Sequence, residues 1–398
     1  MTSAASPARS LAVVLAGGGT GGHVYPALAV AEELRRRWAS VRLLFVGGDR
    51  MESRIVPAAG LPFRAISVHG LAGRGASGWP RRLRAAAELA IGLPLLQSIA
   101  LLRRFRPDIV IGTGGYVSGP VVLAARLLRI PSLALEGNRT PGWTSRALCR
   151  LVDAMAVGWP DQVDYFSRRV RRGARVVATG LPVRGAAVGV PRDAAARALG
   201  LDPARPTLLV LGGSLGSRRV NEAVVGALTL LSQRDQRVRD LQVLHVTGGR
   251  ALPEASAAAL RASVPGYRVV PYLGDGYFDA LAAADLVVSR AGASTVAELT
   301  ACGCPAVLIP WAGASTKEQE RNAEPLAKAG AALIVRDAEL TPERLAAVLA
   351  SLLWDQERRA RMARAARSLG RPEAAAAVVD LALSAAQRGR RCRRRSLG

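Results

Sequence analysis

The sequence predicts an α/β chain of two Rossmann-like domains, each built on a parallel sheet, facing each other across a cleft. Two observations carry this. An apolar strand followed at once by a glycine-rich loop occurs twice, about half a chain apart. The first is Leu11-Ala-Val-Val-Leu-Ala16 before Gly17-Gly-Gly-Thr-Gly-Gly-His-Val-Tyr-Pro26, and the second is Leu208-Leu-Val-Leu211 before Gly212-Gly-Ser-Leu-Gly216. Around them short β-rich runs alternate with helix-like segments, the βαβ order that parallel sheets require. At 398 residues the chain has room for two domains of ~100–200 residues each.

In chain order, the first series places strands at 11–16, 42–47, 108–112, 132–135, 154–157 and 175–178, with helices at 26–38, 81–104, 119–128 and 141–150. The strand cores are continuous apolar runs, as expected of strands buried on both faces. The turn-rich segment Gly180-Leu-Pro-Val-Arg184 is the candidate crossing between domains. The second series places strands at 207–211, 242–246, 268–270, 285–288, 306–309 and 332–335. Its helices fall at 218–233, 256–263, 277–283, 294–302, 318–329 and 342–353. Residues 356–386 read as an Ala/Arg-rich helix or pair of helices before a basic tail. The expected division is an N-terminal domain over 1–183, a C-terminal domain over 184–365, and a helix and tail over 366–398.

Half the residues are apolar but only 4% are aromatic, so Ala, Leu and Val must fill the cores. The net charge is +25, and every cation except Lys317 and Lys328 is arginine. Residues 1–185 hold 26 arginines against 10 acids, and the end from Arg388 adds six more arginines and no acid. Such a balance suits phosphorylated substrates or an anionic membrane surface. Nucleic acid is disfavoured, because no binding motif is present and aromatics for base stacking are sparse. The tail reads equally as a solvated end or a membrane-surface contact. Cys149, Cys302, Cys304 and Cys392 lack metal-site spacing and fit reduced thiols of a cytosolic protein. No signal peptide is apparent, and no apolar run reaches the ~20 residues of a membrane-spanning helix.

A glycine loop that opens a helix leaves free N–H groups and a partial positive charge, which suits a phosphate or diphosphate. Gly17, Gly19 and Gly22 satisfy G-x-G-x-x-G, yet a dinucleotide site also wants an acid at the end of the second strand. That strand ends in Val46-Gly47-Gly48, with Asp49 beyond it, so the dinucleotide reading is disfavoured. His23, placed where the chain enters a helix, suits a general base or a residue that only hydrogen-bonds the loop.

Four segments come in the order seen in one family: Gly18-Gly-Thr-Gly-Gly-His-Val-Tyr-Pro26, Gly114-Gly-Tyr-Val-Ser-Gly-Pro120, Gly212-Gly-Ser-Leu-Gly216 and Ser289-Arg-Ala-Gly-Ala-Ser-Thr-Val-Ala-Glu298. Together they resemble the MurG family of peptidoglycan N-acetylglucosaminyltransferases, over about residues 11–370. The resemblance implies a GT-B fold and an inverting transfer of GlcNAc from UDP-GlcNAc to lipid I, giving lipid II. For the donor it implies Glu298 on the ribose hydroxyls, and Ala293, Ser294, Thr295, Ser214 and Arg184 at the diphosphate. It implies Leu273 beside the uracil, and Gln319, Asn322 and Asn138 on the sugar. Thr20, Gly21 and Gly22 would line the cleft near the donor. Gly18, Gly19, Gly114, Gly115 and Tyr116 would meet the acceptor, whose lipid-linked pyrophosphate the two N-terminal glycine loops would cradle. His23 is the candidate base, with Glu136 or Tyr116 as second choices.

The resemblance implies no cofactor, and no Asp-x-Asp metal motif is present. It also implies a peripheral protein on the cytoplasmic face of the bacterial membrane. Trp79-Pro-Arg-Arg-Leu-Arg84 and the apolar stretch after it form the candidate membrane patch; cell-wall synthesis or division proteins are candidate partners. Departures from the family pattern fall at Leu135, Gly137, Leu181 and Glu318, each beside a retained residue. The competing functions are a related UDP-sugar transferase acting on another glycolipid or natural product, and a non-catalytic nucleotide-sugar-binding homologue. Simple helix capping by Ser214 or Thr295, and solvated or turn positions for Glu298, Asn138, Gln319 and Arg184, are the plainer structural readings.

Overall fold

The computed structural model describes residues 10–68, 92–185, 189–213, 216–249, 252–313 and 317–395. The chain divides into two compact units. One takes Met1–Gly137, Pro141–Arg184 and Glu373–Gly398, the other Asn138–Thr140 and Gly185–Pro372.

The first unit is built on a seven-stranded parallel sheet. Its strands are β1 (Ala12–Gly17), β2 (Arg42–Gly47), β3 (Phe63–Ala65), β4 (Ile109–Gly114), β5 (Ser132–Glu136), β6 (Ala154–Val157) and β7 (Arg175–Ala178), in the order β3-β2-β1-β4-β5-β6-β7. β1 and β4 are buried at every position, as their unbroken apolar runs require. They pair in register from Val13 and Ile109, and the register shifts between Ala16 and Gly17.

The second unit carries six parallel strands: β8 (Thr207–Leu211), β9 (Gln242–Val246), β10 (Gly266–Val270), β11 (Leu286–Ser289), β12 (Ala306–Leu308) and β13 (Ala332–Ile334). Their order is β10-β9-β8-β11-β12-β13. Its core joins Leu208, Val210, Val288 and Val307 of the sheet to Val224, Leu228, Leu345 and Leu349 of the covering helices.

In both sheets the strand order reverses once, between β1 and β4 and between β8 and β11. Open α/β sheets bind ligands outside the carboxyl ends of the strands at that reversal. All four motifs of the sequence lie there. Gly17 ends β1, Gly114 ends β4, Gly212 follows β8 and Arg290 follows β11.

Some elements differ from expectation. The first helix begins at Gly21, not 26, and runs to Arg37. Pro26 sits inside it, but so near the start that only one early hydrogen bond is lost. Of the helix expected over 81–104, the part from Leu93 to Phe105 is described, preceded by Gly92 at φ +68°; residues 81–91 lie outside the described residues. β3 and the short helices Glu52–Ala58, Gln162–Ser167 and Arg192–Ala198 were not expected, being too short to show a period. The C-terminal region is a helix pair, Gln356–Leu369 and Ala374–Arg395. The second helix joins the first unit, packing on helix Gly21–Arg37 and on β4, β5 and β6. An Arg37–Asp380 ion pair fastens it there. No helix among the described residues is long and apolar enough to cross a membrane.

Candidate active site

In the first unit the glycine loop after β1 runs straight into helix Gly21–Arg37, so Gly21, Gly22 and His23 form its first turn and Thr20 its N-cap position. Thr113, near the end of β4, grips His23 twice. Its hydroxyl donates to the His23 carbonyl at 2.7 Å, and its own carbonyl lies 3.2 Å from His23 Nδ1. A carbonyl can only accept, so Nδ1 carries the hydrogen and the neutral ring presents a bare Nε2. Burial pulls the His23 pKa below its ordinary value; the Thr113 carbonyl and the Glu52 carboxylate oppose this. The ring is therefore held neutral, in the tautomer a base needs.

The second N-terminal glycine loop closes over that ring. Gly114 stands at φ +109° and a side chain there would press into the His23 imidazole. Gly115, at φ +76°, has the Gly18 carbonyl where its Cβ would be. Both conformations and both contacts demand glycine. Ser118 ties the loop down, its hydroxyl donating to the Ala16 carbonyl at 2.8 Å and accepting from Gly114 N–H at 3.1 Å. Tyr116 packs against Gly19 under the Arg50 guanidinium, 5.6 Å from its ring centre. The Tyr116 hydroxyl is buried without a hydrogen-bond partner, and desolvation raises its pKa, which suits a phenol that stays protonated.

Glu136, buried at the end of β5, accepts the Gly142 N–H at 2.7 Å and so shapes the 137–142 loop. Within that loop, Gly137 abuts Leu181, two of the positions that depart from the family pattern. A side chain at 137 would collide with Leu181.

In the second unit, helix Ala293–Cys302 starts after Gly292 at the end of the β11 loop and presents the N–H groups of Ala293, Ser294 and Thr295. The Ser294 hydroxyl is buried and has no hydrogen-bond partner. Glu298, one turn on, is only 8% exposed, and Tyr277 Oη donates to its Oε2 at 2.7 Å. Burial, then the Glu298 charge, raise the Tyr277 pKa, so this phenol remains a donor. Leu273 stands before the turn Gly274–Gly276, its carbonyl accepting Gly276 N–H.

Asn322 and Gln319 come from helix Glu318–Lys328. Asn322 is fully buried: Oδ1 accepts from Arg139 N–H at 2.9 Å, and Nδ2 donates to Asn138 Oδ1 at 3.1 Å and to the Ala291 carbonyl at 3.2 Å. Gln319 Oε1 accepts from Ala291 N–H and Trp311 N–H. Both amides thus brace the β11 loop, and Asn322 brings Asn138 to it. Arg184 is partly exposed beside the Leu181–Val183 segment. Ser214 and the patch Trp79–Arg84 lie outside the described residues.

Three residues escaped sequence reasoning. Glu52 is fully buried and accepts from Gly48 N–H through Oε1 at 3.0 Å and from Gly19 N–H through Oε2 at 3.2 Å. The search for an acid after β2 stopped at Asp49, three residues short. Tyr277 carried no signal. Arg290 lies inside a recognised motif, and its place between a strand end and a glycine is the signal that could have found it. Its buried guanidinium donates to Ile309 O at 3.1 Å, to Asp337 Oδ1 at 2.6 Å and to Ser217 Oγ at 2.9 Å. It thereby knits the loops after β8, β11, β12 and β13.

The chain and its fold resemble known proteins. Residues 13–157 match the glycosyltransferase family 28 N-terminal domain, and residues 207–378 match its C-terminal domain. A protein of Desulforudis audaxviator (strain MP104C), named UDP-N-acetylglucosamine–N-acetylmuramyl-(pentapeptide) pyrophosphoryl-undecaprenol N-acetylglucosamine transferase, is 42% identical over 385 residues, covering 95% of this chain and 100% of its own. A protein of the same name from Desulforamulus reducens is 39% identical, covering 92% of this chain and 96% of its own. The crystal structure of Acinetobacter baumannii MurG superposes with a TM-score of 0.69 at 31% identity, covering 94% of this chain and 99% of that one. The chain belongs to glycosyltransferase family 28 and, within it, to the MurG enzymes.

Proposed function

We propose that this protein transfers N-acetylglucosamine from UDP-N-acetylglucosamine to the muramyl 4-hydroxyl of undecaprenyl-pyrophosphoryl-N-acetylmuramyl-pentapeptide, lipid I, giving lipid II. The observation that carries the chemistry is the His23 corner, where a neutral imidazole is held with Nε2 free at the reversal point of a parallel sheet. Nε2 takes the proton of the 4-hydroxyl as that oxygen attacks the anomeric carbon. The bond to the diphosphate breaks on the opposite face, so configuration inverts and UDP leaves. The N–H groups of Ala293, Ser294 and Thr295 and the Arg184 guanidinium stabilise the charge that develops on the leaving diphosphate.

Glu298, aligned by Tyr277, accepts hydrogen bonds from the ribose hydroxyls, and Leu273 lies at the uracil. Gln319, with Asn138 and Asn322 behind it, holds the sugar. The lipid-linked pyrophosphate meets the N–H groups of Thr20, Gly21 and Gly22 at the start of helix Gly21–Arg37, because Gly19 N–H is already committed to Glu52. The enzyme works as a peripheral protein at the anionic cytoplasmic leaflet. Leu93 and Leu96, exposed on a helix whose last turn carries Arg103 and Arg104, offer an apolar contact to lipid beside a basic one.

Transfer of radiolabelled GlcNAc from UDP-GlcNAc to a short-chain lipid I analogue, with EDTA present, tests the proposal. Labelled lipid II product is expected. Saturable UDP-GlcNAc binding without product would mean a different acceptor or a non-catalytic homologue.

A further inference from the structure

Among the described residues, Glu52 is a buried carboxylate without a cation. Its residue is fully buried, and among the described residues no arginine or lysine pairs with it. Both oxygens act as acceptors, one from Gly48 and one from Gly19, which is the bonding of an ionised carboxyl group. Burying such a charge is costly unless other positive potential reaches it. The N-terminal end of helix Gly21–Arg37 reaches it through Gly19, and the His23 ring in the first turn of that helix feels its charge. The space is filled closely. A side chain at Gly18 would strike the Glu52 carboxylate, and one at Gly47 would meet its Cγ at 2.8 Å.

We propose that Glu52 is the positioning residue of the acceptor side. It clamps the first glycine loop to the end of β2, and its charge stabilises the imidazolium that His23 becomes when it takes the acceptor proton. This rests on the reading of His23 as the base. The clamp takes Gly19 N–H out of reach of a phosphate, because that N–H is spent on an internal anion. It also gives a buried charge a use there, because the imidazolium it favours forms during the reaction. Glu52 favours the proton on His23, against the desolvation that disfavours it.

Among the described residues, other charged groups around this corner have interactions of their own. Asp49 and Arg50, in the turn after β2, act on Tyr116, over which Arg50 stacks. Glu33 and Arg36 pair with each other along the same helix. Asp380 of the C-terminal helix meets Arg37 at the helix's far end.

Glu52→Gln tests this: it keeps the size, removes the charge and leaves one of the two acceptors. In the intact enzyme kcat should fall ~10–100-fold, the scale of a misplaced reacting group, with KM for UDP-GlcNAc unchanged. The acid limb of the pH profile should move to lower pH. An independent reading comes from NMR titration of the imidazole carbons. The chain has only three histidines, and His23→Gln assigns the signal. The His23 titration should likewise move to lower pH in Glu52→Gln. A merely structural clamp would lower kcat or thermal stability and leave both the acid limb and the imidazole titration in place, and that result overturns the proposal. If the wild-type enzyme fails to glycosylate lipid I while the His23 titration still moves, the coupling stands and the substrate reading fails instead.

Discussion

The His23 corner of the first unit and the Glu298 corner of the second both stand at the strand-order reversal of a parallel sheet, His23 after β1 and Glu298 after β11, yet they are built in opposite ways. Around His23 the partners are mostly backbone and glycine: the Thr113 carbonyl, Gly114, Gly115 and the Gly19 N–H under Glu52. Around Glu298 they are side chains that lock one another, with Tyr277 on the carboxylate, Asn322 and Gln319 on the β11 loop and Arg290 across four loops. The first arrangement leaves a titratable nitrogen poised in a crowded, poorly solvated place. The second spends its polar groups on holding hydrogen-bonding atoms still. One is suited to moving a proton, the other to recognising a polar donor without moving one.

The largest effect that would sharpen this contrast is at His23. Replacing it with Gln should lower kcat by ~10²–10⁴, the range for a lost general base. Loss of less than tenfold in steady-state assays would move the base elsewhere. At the other corner, Glu298→Gln should act on binding: KM for UDP-GlcNAc should rise ~10–100-fold, as expected for a lost hydrogen bond to a charged acceptor. A fall in kcat alone would show that this carboxylate takes part in the chemical step.

The smallest effect concerns stability. His245, fully buried between Tyr267 Oη and Asn221 Oδ1, has its pKa pushed by burial from 6.5 down to about 4. The unfolded chain binds the proton first as pH falls, so unfolding free energy should drop on acidification below 6.5. From pH 7 to pH 5 the loss should be about 2 kcal/mol. Urea unfolding at the two pH values measures it, and a His245→Asn variant should show a correspondingly weaker pH dependence. An equal pH dependence in both proteins would put the effect elsewhere.

What could be read from the sequence was local. β1, β4 and β8 are short runs of apolar residues ending in or followed by glycine, so both sheets and the loops at their strand-order reversals were legible. Gly114 and Gly115 were legible as glycines, though the ring they make room for was not. The pairings were not legible, because they join residues far apart in the chain. Glu52 meets Gly19 from 33 positions away, Arg290 meets Ser217 from 73, and Asn322 meets Asn138 from 184. The last helix hid for the same reason. Its Ala/Arg pattern shows a helix, but contacts such as Asp380 with Arg37 and Gly389 with Pro131 are what show which unit it completes.

The division of labour between the two corners is tested most directly by the affinity of the His23→Gln variant for UDP-GlcNAc, measured calorimetrically. The account predicts wild-type donor binding by a protein that has lost transfer. A variant that loses donor affinity in step with its rate would contradict it, placing His23 in the donor site and leaving the proton to another group.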